Sequence, residues 1–484
     1  MGQLYRRLLE YSQSDYYPYH MPGHKRTPLT EVLGRVGDID ITEIEGFDNL
    51  HQAEGLLREL QEHAARVYGT EESFYLVGGS TAGILSGVSA ALPRGGFLLM
   101  ARNCHKAVYH SVYLNGLRPV YLFPEIYEPV DLCKGVSPAR VEELLYENPQ
   151  IGAVLIVSPT YEGVVSDIKA VAEVVHRSGI PLIVDEAHGA HLGFHPAWPQ
   201  SACRQGADLV IQSLHKTLPS MTQTALLHVN GGLVDRKRLK RFLSIYQTSS
   251  PSYVFMAGME EAITYMEQHG REAMEAFLKK WNAMLERLGE CRVLRILPVD
   301  GQDMPHDIGK LVISVKGTDI SGQQLYERLL KQYHLQMELA AGTYVLAMFT
   351  VADGQEAYDR LTQAVLEIDD SLYVQAAGKR KRPEAEEKQC RSDAPLCGES
   401  IRPERRLELW EAWDREKEVM CLEDSRGRLA GEFVNLYPPG IPVLVPGEVI
   451  GEGMIQLIDR SVKAGLPMQG VTCHEGRAYI TVLR

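Results

Sequence analysis

Three His-Lys pairs punctuate this chain: His24-Lys25 in "YHMPGHKRTP", His105-Lys106 in "ARNCHKAVYH" and His215-Lys216 in "DLVIQSLHKTLPSMTQ". A lysine amine can form a Schiff base with an aldehyde, so each pair is a candidate for covalent chemistry. Lys25 lies in a Pro/Gly-rich arm with no strand before it. Lys106 opens a helical pattern and would point to solvent or to a phosphate. Lys216 follows an apolar run in the middle of what reads as a parallel sheet, and ligands gather at the carboxyl ends of such strands.

Lys216 also has chemical company. Asp185 ends the preceding apolar run, "PLIVDEAH", 31 residues upstream, which places the two at neighbouring strand ends. A carboxylate there is costly unless it meets a positive partner. In "LVGGSTAG" (76–83) the glycines, Gly79 among them, let backbone N–H groups approach an anion; Ser80 and Thr81 add hydroxyls at a helix N-terminus. Ser213 and His215 flank the lysine as further phosphate donors, and His105 ends another strand, where a flat ring can cover a planar ligand. A strand-end lysine, a buried aspartate, a phosphate cup and a flat side chain together describe a pyridoxal phosphate site. The aspartate would keep the pyridine nitrogen protonated, so that the ring accepts electrons from a carbanion. Other motifs fall short. "DEAH" has no P-loop before it, no G-x-G-x-x-G is present, and His188 and His191 lack the "HExxH" helix of a metal site, so no metal is expected.

The elements that must position these residues alternate between 73 and 230. Apolar runs at "SFYLV", "GFLLMA", "PVYLFP", "GAVLIVSP", "PLIVDEAH", "DLVIQSLH" and "ALLHV" are separated in several places by helical patterns. That alternation predicts an α/β fold with a mostly parallel sheet of seven strands, covered on both faces. The last two runs have no long helix between them, which predicts one antiparallel strand. Before the sheet, "EGLLRELQEHAARVYG" puts Leu56, Leu57, Leu60, Ala64 and Val67 on one helical face. The expected organisation is an arm at 1–50, a large ligand-binding domain at 51–290, a smaller α+β domain at 291–374, a charged linker at 375–405 and a C-terminal unit at 406–484. Ser321 is the expected N-cap of a helix in the smaller domain.

The 484 residues, 45% of them apolar, can build a large core. Acidic residues outnumber basic ones, 63 to 50, which argues against nucleic acid as the main partner. The eight cysteines form no C-x-x-C, and reduced thiols in a cytoplasm are expected. The stretch "MGQLYRRLLEYSQ" lacks the apolar core of a signal peptide and has Arg6 where myristoylation needs Ser or Thr. No apolar run is long enough to span a bilayer, so no membrane partner is expected.

The residues also match a family. The chain resembles the bacterial Orn/Lys/Arg decarboxylases, in their short form, within the fold-type-I pyridoxal phosphate enzymes. The resemblance rests on "HMPGHK" (20–25), "TEIEGFDNLH" (42–51), "GGSTAGI" (78–84), "RNCHKA" (102–107), "SPTYEG" (158–163), "DEAHGAHLGFH" (185–195), "SLHKTLPSMTQ" (213–223) and "YPPGIPVLVPGE" (437–448). It implies that Lys216 carries the cofactor, that Asp185 pairs with the pyridine nitrogen and that His105 stacks on the ring. Ala187 and His188 would lie beside the ring, and Gly79, Ser80, Thr81, Ser213 and His215 would hold the phosphate. It further implies that "YQTSSPSY" (246–253) reaches a neighbouring subunit, with Thr248 or Ser249 contributing in trans, so that a homodimer or higher homo-oligomer shares its sites. Two positions depart from the pattern: Ala107 stands where relatives often have Ser, and Glu162 where an aromatic is frequent.

The implied reaction is decarboxylation of arginine, lysine or ornithine to agmatine, cadaverine or putrescine, in polyamine metabolism. Lys216 or His105 would return the proton to Cα. The substrate's distal cation calls for carboxylates. Glu45, Asp48 and Glu448 are the candidates, beside the alternative that they are exposed loop acids. Two other readings are an aminotransferase or lyase on the same fold and a non-catalytic cofactor-binding regulator. Transaminases grip the substrate carboxylate with a small-domain arginine, and "ELAAGTYVLAMFT" (338–350) has none.

Overall fold

A computed structural model describes residues 15–19, 43, 47–298, 304–379, 402–436 and 440–484. Lys25, Glu45 and residues 380–401 of the expected linker lie outside them.

The expected α/β sheet is present. Its strands are β1 (Glu72–Leu76), β2 (Phe97–Ala101), β3 (Arg118–Leu122), β4 (Ile151–Val157), β5 (Leu182–Asp185), β6 (Leu209–Ser213) and β7 (Ala225–Val229), in the order β1-β7-β6-β5-β4-β2-β3. The pairs β2–β3, β2–β4, β4–β5 and β5–β6 are parallel. Strand β7 runs antiparallel to both β6 and β1. The reason is length: only residues 214–224 separate β6 from β7, too few for a crossover helix that would return the chain in the same direction.

Side chains alternate across the sheet with the period of two that a strand imposes. Val154 and Ile156 of β4 join one buried apolar cluster, while Ala153 and Leu155 join the other. Helices α1 (Leu56–Tyr68), α2 (Gly79–Ala91), α3 (Lys106–Asn115), α4 (Pro138–Glu147) and α5 (Ile168–Arg177) pack on these faces. The buried stripe of α1 is rotated from the expected one: Leu57 and Ala64 are buried together with Ala65 and Tyr68, and Leu56 is exposed. Helix α2 lies unusually close to the sheet because it is made of small residues. A Cβ on Gly83 would come within 2.7 Å of Leu76 Cδ1 and 3.0 Å of Ile211 Cγ2, on β1 and β6. That close approach brings the N-terminus of α2 to the strand ends.

The one-turn helix α6 (Leu214–Thr217) lies between β6 and β7, and beyond β7 come α7 (Arg236–Tyr246) and the long α8 (Tyr253–Leu288). A second, antiparallel sheet has strands β8 (Arg295–Leu297), β9 (Lys310–Ser314), β10 (Leu339–Ala340) and β11 (Tyr344–Met348), ordered β8-β9-β11-β10. Ser321 caps the helix Gly322–Tyr333 in a full capping box with Gln324. The helix Gln355–Lys379 continues past 374. The C-terminal residues build two three-stranded sheets around their own apolar cluster, including Leu444, Ile458 and Val482. Among the described residues, no helix is long and apolar enough to cross a membrane.

A buried polar chain crosses four strands of the main sheet. Glu186, just past β5, accepts from Gln212 Nε2 at 2.6 Å, from the Ser201 hydroxyl at 2.6 Å and from the Ala202 N–H at 2.8 Å. Gln212 Oε1 in turn accepts from His228 Nε2 at 3.1 Å, and the Ser73 hydroxyl donates to His228 Nδ1 at 2.7 Å. Burial pushes the Glu186 carboxyl up to about 7, against the pull of these donors. A carboxyl raised above its ordinary 4.5 stabilises the fold while it is protonated, and that contribution fades as pH climbs from about 4.5 through about 7. Thermal unfolding of the native chain should therefore show a falling midpoint across this window, and Glu186→Gln should flatten the slope whatever its absolute stability. A slope unchanged in the variant would contradict the assignment.

Candidate active site

Lys216 sits on α6, three residues past the end of β6 rather than on the strand itself. Its Nζ lies 3.0 Å from His188 Nε2 and 6.0 Å from the centre of the Tyr161 ring. Burial pulls its amine below the ordinary lysine range, while Asp185 and Glu338 act in the opposite sense. Asp185 ends β5 and is 3% exposed. Its Oδ1 accepts from the Ala187 N–H at 3.2 Å. Burial raises the Asp185 carboxyl, opposed by Lys216 and by that amide. The aspartate and the lysine thus share one field without an ion pair in direct contact, and both are pushed toward neutrality. A cationic ring nitrogen beside Asp185 would remove the penalty on its charge.

His105 is the N-cap of α3, where its Nδ1 accepts from the Ala107 N–H at 3.2 Å. The neutral ring therefore carries its proton on Nε2. Burial, then Lys216 and Lys106, hold His105 at about 3, so the ring is uncharged at neutral pH. His188 faces Lys216 through Nε2 and Lys310 through Nδ1, at 2.7 Å, with the Tyr161 ring edge-on 4.5 Å away between centroids. Ala187 is buried beside it.

The phosphate candidates differ among themselves. Gly78 leaves α2 without a side-chain cap, so its first amides have no side-chain acceptor at the N-cap, and Gly79 takes a left-handed φ of 71°. Ser80 is half-buried and Thr81 exposed on that first turn. Ser213 is fully buried, yet its Oγ has no hydrogen-bond partner, as expected of a hydroxyl waiting for a ligand oxygen. His215 donates Nδ1–H to the Thr224 carbonyl at 3.1 Å, and burial lowers it to about 4, so its neutral ring presents a bare Nε2. It can donate to a phosphate only after the anion draws a proton onto that nitrogen. A cradle of helix amides, an orphaned hydroxyl and an anionic partner for a ring nitrogen fits pyridoxal phosphate. A cleft lined by Ala101, Asn103, Leu122, Val157 and Thr160 opens at the same strand ends.

Thr248 and Ser249 are exposed; they follow Gln247, whose Oε1 accepts from the Val77 N–H at 2.9 Å beside the cup. Two of the expected substrate acids do other work. The Asp48 carboxylate accepts from the N–H groups of Asn49, Glu54, Gly55 and Leu57 at 2.8–3.1 Å. Burial opposes its charge, but these amides outweigh it and keep the carboxyl below its ordinary value. Glu448 is 1% exposed and pairs with Arg102 at 3.2 Å, with the Val445 N–H donating to it at 2.9 Å. The expectation that Glu448 meets a substrate cation is corrected: its carboxylate is taken up by a buried guanidinium.

Three residues near Lys216 were not singled out from sequence. Lys310 opens β9, where a lysine reads as a solvated strand end. Tyr161 stood inside a quoted motif without a role. Glu338, at the start of a stretch searched only for arginine, accepts a short hydrogen bond from the Tyr161 hydroxyl and bears on the Lys216 charge. Glu162, the departure from the family pattern, accepts from the Tyr344 hydroxyl at 2.9 Å.

A seven-stranded sheet with one reversed strand, and a lysine just past the strand beside an aspartate-bearing neighbour, define a fold-type-I pyridoxal phosphate enzyme architecture. Residues 2–301 match the family model "Orn/Lys/Arg decarboxylase, major domain" and residues 406–467 match its "C-terminal domain". The chain is 32% identical over 478 residues to the arginine decarboxylase of Bacillus subtilis, covering 96% of this chain and 95% of that one. It is 25% identical to the constitutive lysine decarboxylase of Escherichia coli, covering 94% of this chain and 76% of the relative. The solved lysine decarboxylase A from Pseudomonas aeruginosa superposes with a TM-score of 0.76 at 20% identity, over 100% of this chain and 80% of that one. The chain belongs to the Orn/Lys/Arg decarboxylase family and is an amino-acid decarboxylase.

The orphaned hydroxyl yields a test. Ser213→Ala removes a buried group that lacks a partner, so the cofactor-free protein should keep its stability within about 1 kcal/mol or gain slightly. The same variant should bind pyridoxal phosphate about tenfold more weakly, the loss of one charge-assisted hydrogen bond. Fluorescence titration and thermal melts of both forms measure the two effects; a destabilised apo-protein with unchanged affinity would give Ser213 a structural role instead.

Proposed function

We propose that this decarboxylase binds pyridoxal phosphate and acts on arginine, with lysine and ornithine as the competing substrates. The observation that carries the cofactor reading is the convergence of Lys216, Asp185, neutral His105 and partnerless Ser213 on one set of strand ends. Arginine is favoured by the 32% identity to an arginine decarboxylase along nearly the whole chain.

When bound, pyridoxal phosphate supplies an aldehyde that links to amines and a protonated ring that takes up the electron pair of the broken C–C bond. Lys216 Nζ would be the group that holds that aldehyde. Asp185 stays ionised once a ring nitrogen faces it. His105 would lie over the bound group and exclude water. The neutral His105 ring has a single proton, on Nε2, and is a weak acid; Lys216 Nζ, once it has taken up the proton that the substrate's ammonium group brings, is the stronger acid and would return a proton to Cα. Glu338, reached from Lys216 across the Tyr161 ring, is the acid placed to meet a cationic substrate group. The amine product belongs to polyamine metabolism. Free cysteines among the described residues fit a reducing cytoplasm. A homodimer with Thr248 or Ser249 reaching the partner's phosphate completes the reading, supported by the family resemblance.

The test offers arginine, lysine and ornithine separately, with added cofactor. Carbon dioxide and agmatine in equal amounts from arginine are expected, and Lys216→Ala should abolish both. A keto acid without carbon dioxide would replace this reading by transamination. Glu338→Gln should raise KM by about tenfold to a hundredfold, the worth of a hydrogen bond to a charged group, with a smaller change in kcat. An unchanged KM would remove Glu338 from substrate recognition.

A further inference from the structure

Lys310 is the largest charge-bearing side chain among the fully buried ones, at 1% exposure, and the reaction described above does not use it. It enters from β9 of the second sheet and ends 2.7 Å from His188 Nδ1. On the other side of the same ring, His188 Nε2 is 3.0 Å from Lys216 Nζ. One imidazole therefore bridges two lysines through its two nitrogens.

Hydrogen-bond polarity limits what this bridge can be. An ammonium has only donors, so a ring nitrogen that faces one must be bare. Burial, then Lys216 and Lys310, keep the His188 ring far below its ordinary value, so it carries one proton and not two. If Lys310 is the ammonium, Nδ1 is bare and the ring proton sits on Nε2. That N–H then points at Lys216, whose nitrogen must accept and so must be an unprotonated amine. The charge belongs on Lys310 for a chemical reason: it does no covalent work, whereas Lys216 can attack an aldehyde only as the free amine.

We propose that Lys310 is a positioning residue: its ammonium keeps His188 Nδ1 bare and directs the ring proton, on Nε2, at the Lys216 nitrogen, which is thereby held as a neutral nucleophile. The inference deepens the reading of Lys216 as the cofactor lysine and rests on it. Other groups face the same atoms. Asp185, Glu338, His105 and Tyr161 surround Lys216. His215 and His105 also act on His188, and Lys310 lies 5.8 Å from the centre of the Tyr161 ring and acts on His306. Asp185 and Glu338 favour a charged Lys216; burial opposes them, and the Lys310–His188 arm acts in the same sense as burial.

The experiment uses cofactor-free protein, so it does not depend on turnover. Nitrogen-15 labelling of histidine, with His188 assigned by its loss in His188→Gln, reports which ring nitrogen is protonated. In parallel, brief acetic anhydride pulses across a pH series, read by mass spectrometry of the Lys216 peptide, give the pH at which that amine becomes reactive. The native chain should show the Nε2–H form and Lys216 reactive well below the ordinary lysine range. Lys310→Met should move His188 toward Nδ1–H and raise the Lys216 midpoint by about one pH unit or more, the effect of losing a nearby like charge. Lys310→Arg should restore it. An Nδ1–H form in the native chain, or a midpoint unmoved in Lys310→Met, overturns the proposal. The tautomer of the native chain decides even if the variant fails to fold. Failure of the decarboxylase reading appears separately, as an absence of carbon dioxide from an enzyme whose Lys216 is still reactive at low pH.

Discussion

An aspartate with almost no solvent, at the end of a strand that is buried on both faces, is the constraint around which the molecule is arranged. Asp185 cannot hold its charge from water, and the protein gives it only one backbone amide and the distant field of Lys216. The rest of the architecture determines what stands around that carboxyl. Parallel strands β5 and β6 put aspartate and lysine at the same end of the sheet. Strand β7 runs the other way, forced by a short connection. The small residues of α2 let a helix N-terminus slide in beside the strand ends, as the near-contact of Gly83 with Leu76 and Ile211 shows.

How much of this could be read from sequence depended on distance along the chain. Asp185 and Lys216 were visible because each closes an apolar run, and consecutive parallel strands bring such ends together. The antiparallel strand was visible for the same local reason. What lay outside reach came from far away. Lys310 arrives from the second sheet and Glu338 from a segment before β11; nothing in their own neighbours separates a buried lysine from a solvated one. Glu448 failed as a substrate acid for a similar reason, because its partner Arg102 is more than three hundred residues earlier. Helical periodicity placed α1 but rotated its buried face, since Ala65 and Tyr68 meet the sheet where Leu56 does not.

Charge on the hidden face of the sheet is handled differently. Glu186, next in sequence to Asp185, is surrounded by donors from Ser201, Ala202 and Gln212, and the chain runs on through His228 to Ser73. Two adjacent acids thus meet different surroundings: Glu186 has three donors within the fold, whereas Asp185 has the Ala187 amide and the field of Lys216. Glu186 also ties β5, β6, β7 and β1 in register, since a slip of one residue would turn Gln212 and His228 to the other face.

The union of Arg102 with the C-terminal unit reaches further than its own stability. Arg102 donates to the Val443 carbonyl and to Glu448, and three residues later the same turn delivers His105 to the site. The C-terminal unit therefore braces the turn that carries His105. Removing it would take away the carbonyl and the carboxylate that hold the Arg102 guanidinium, and with them the brace on the turn that leads to His105.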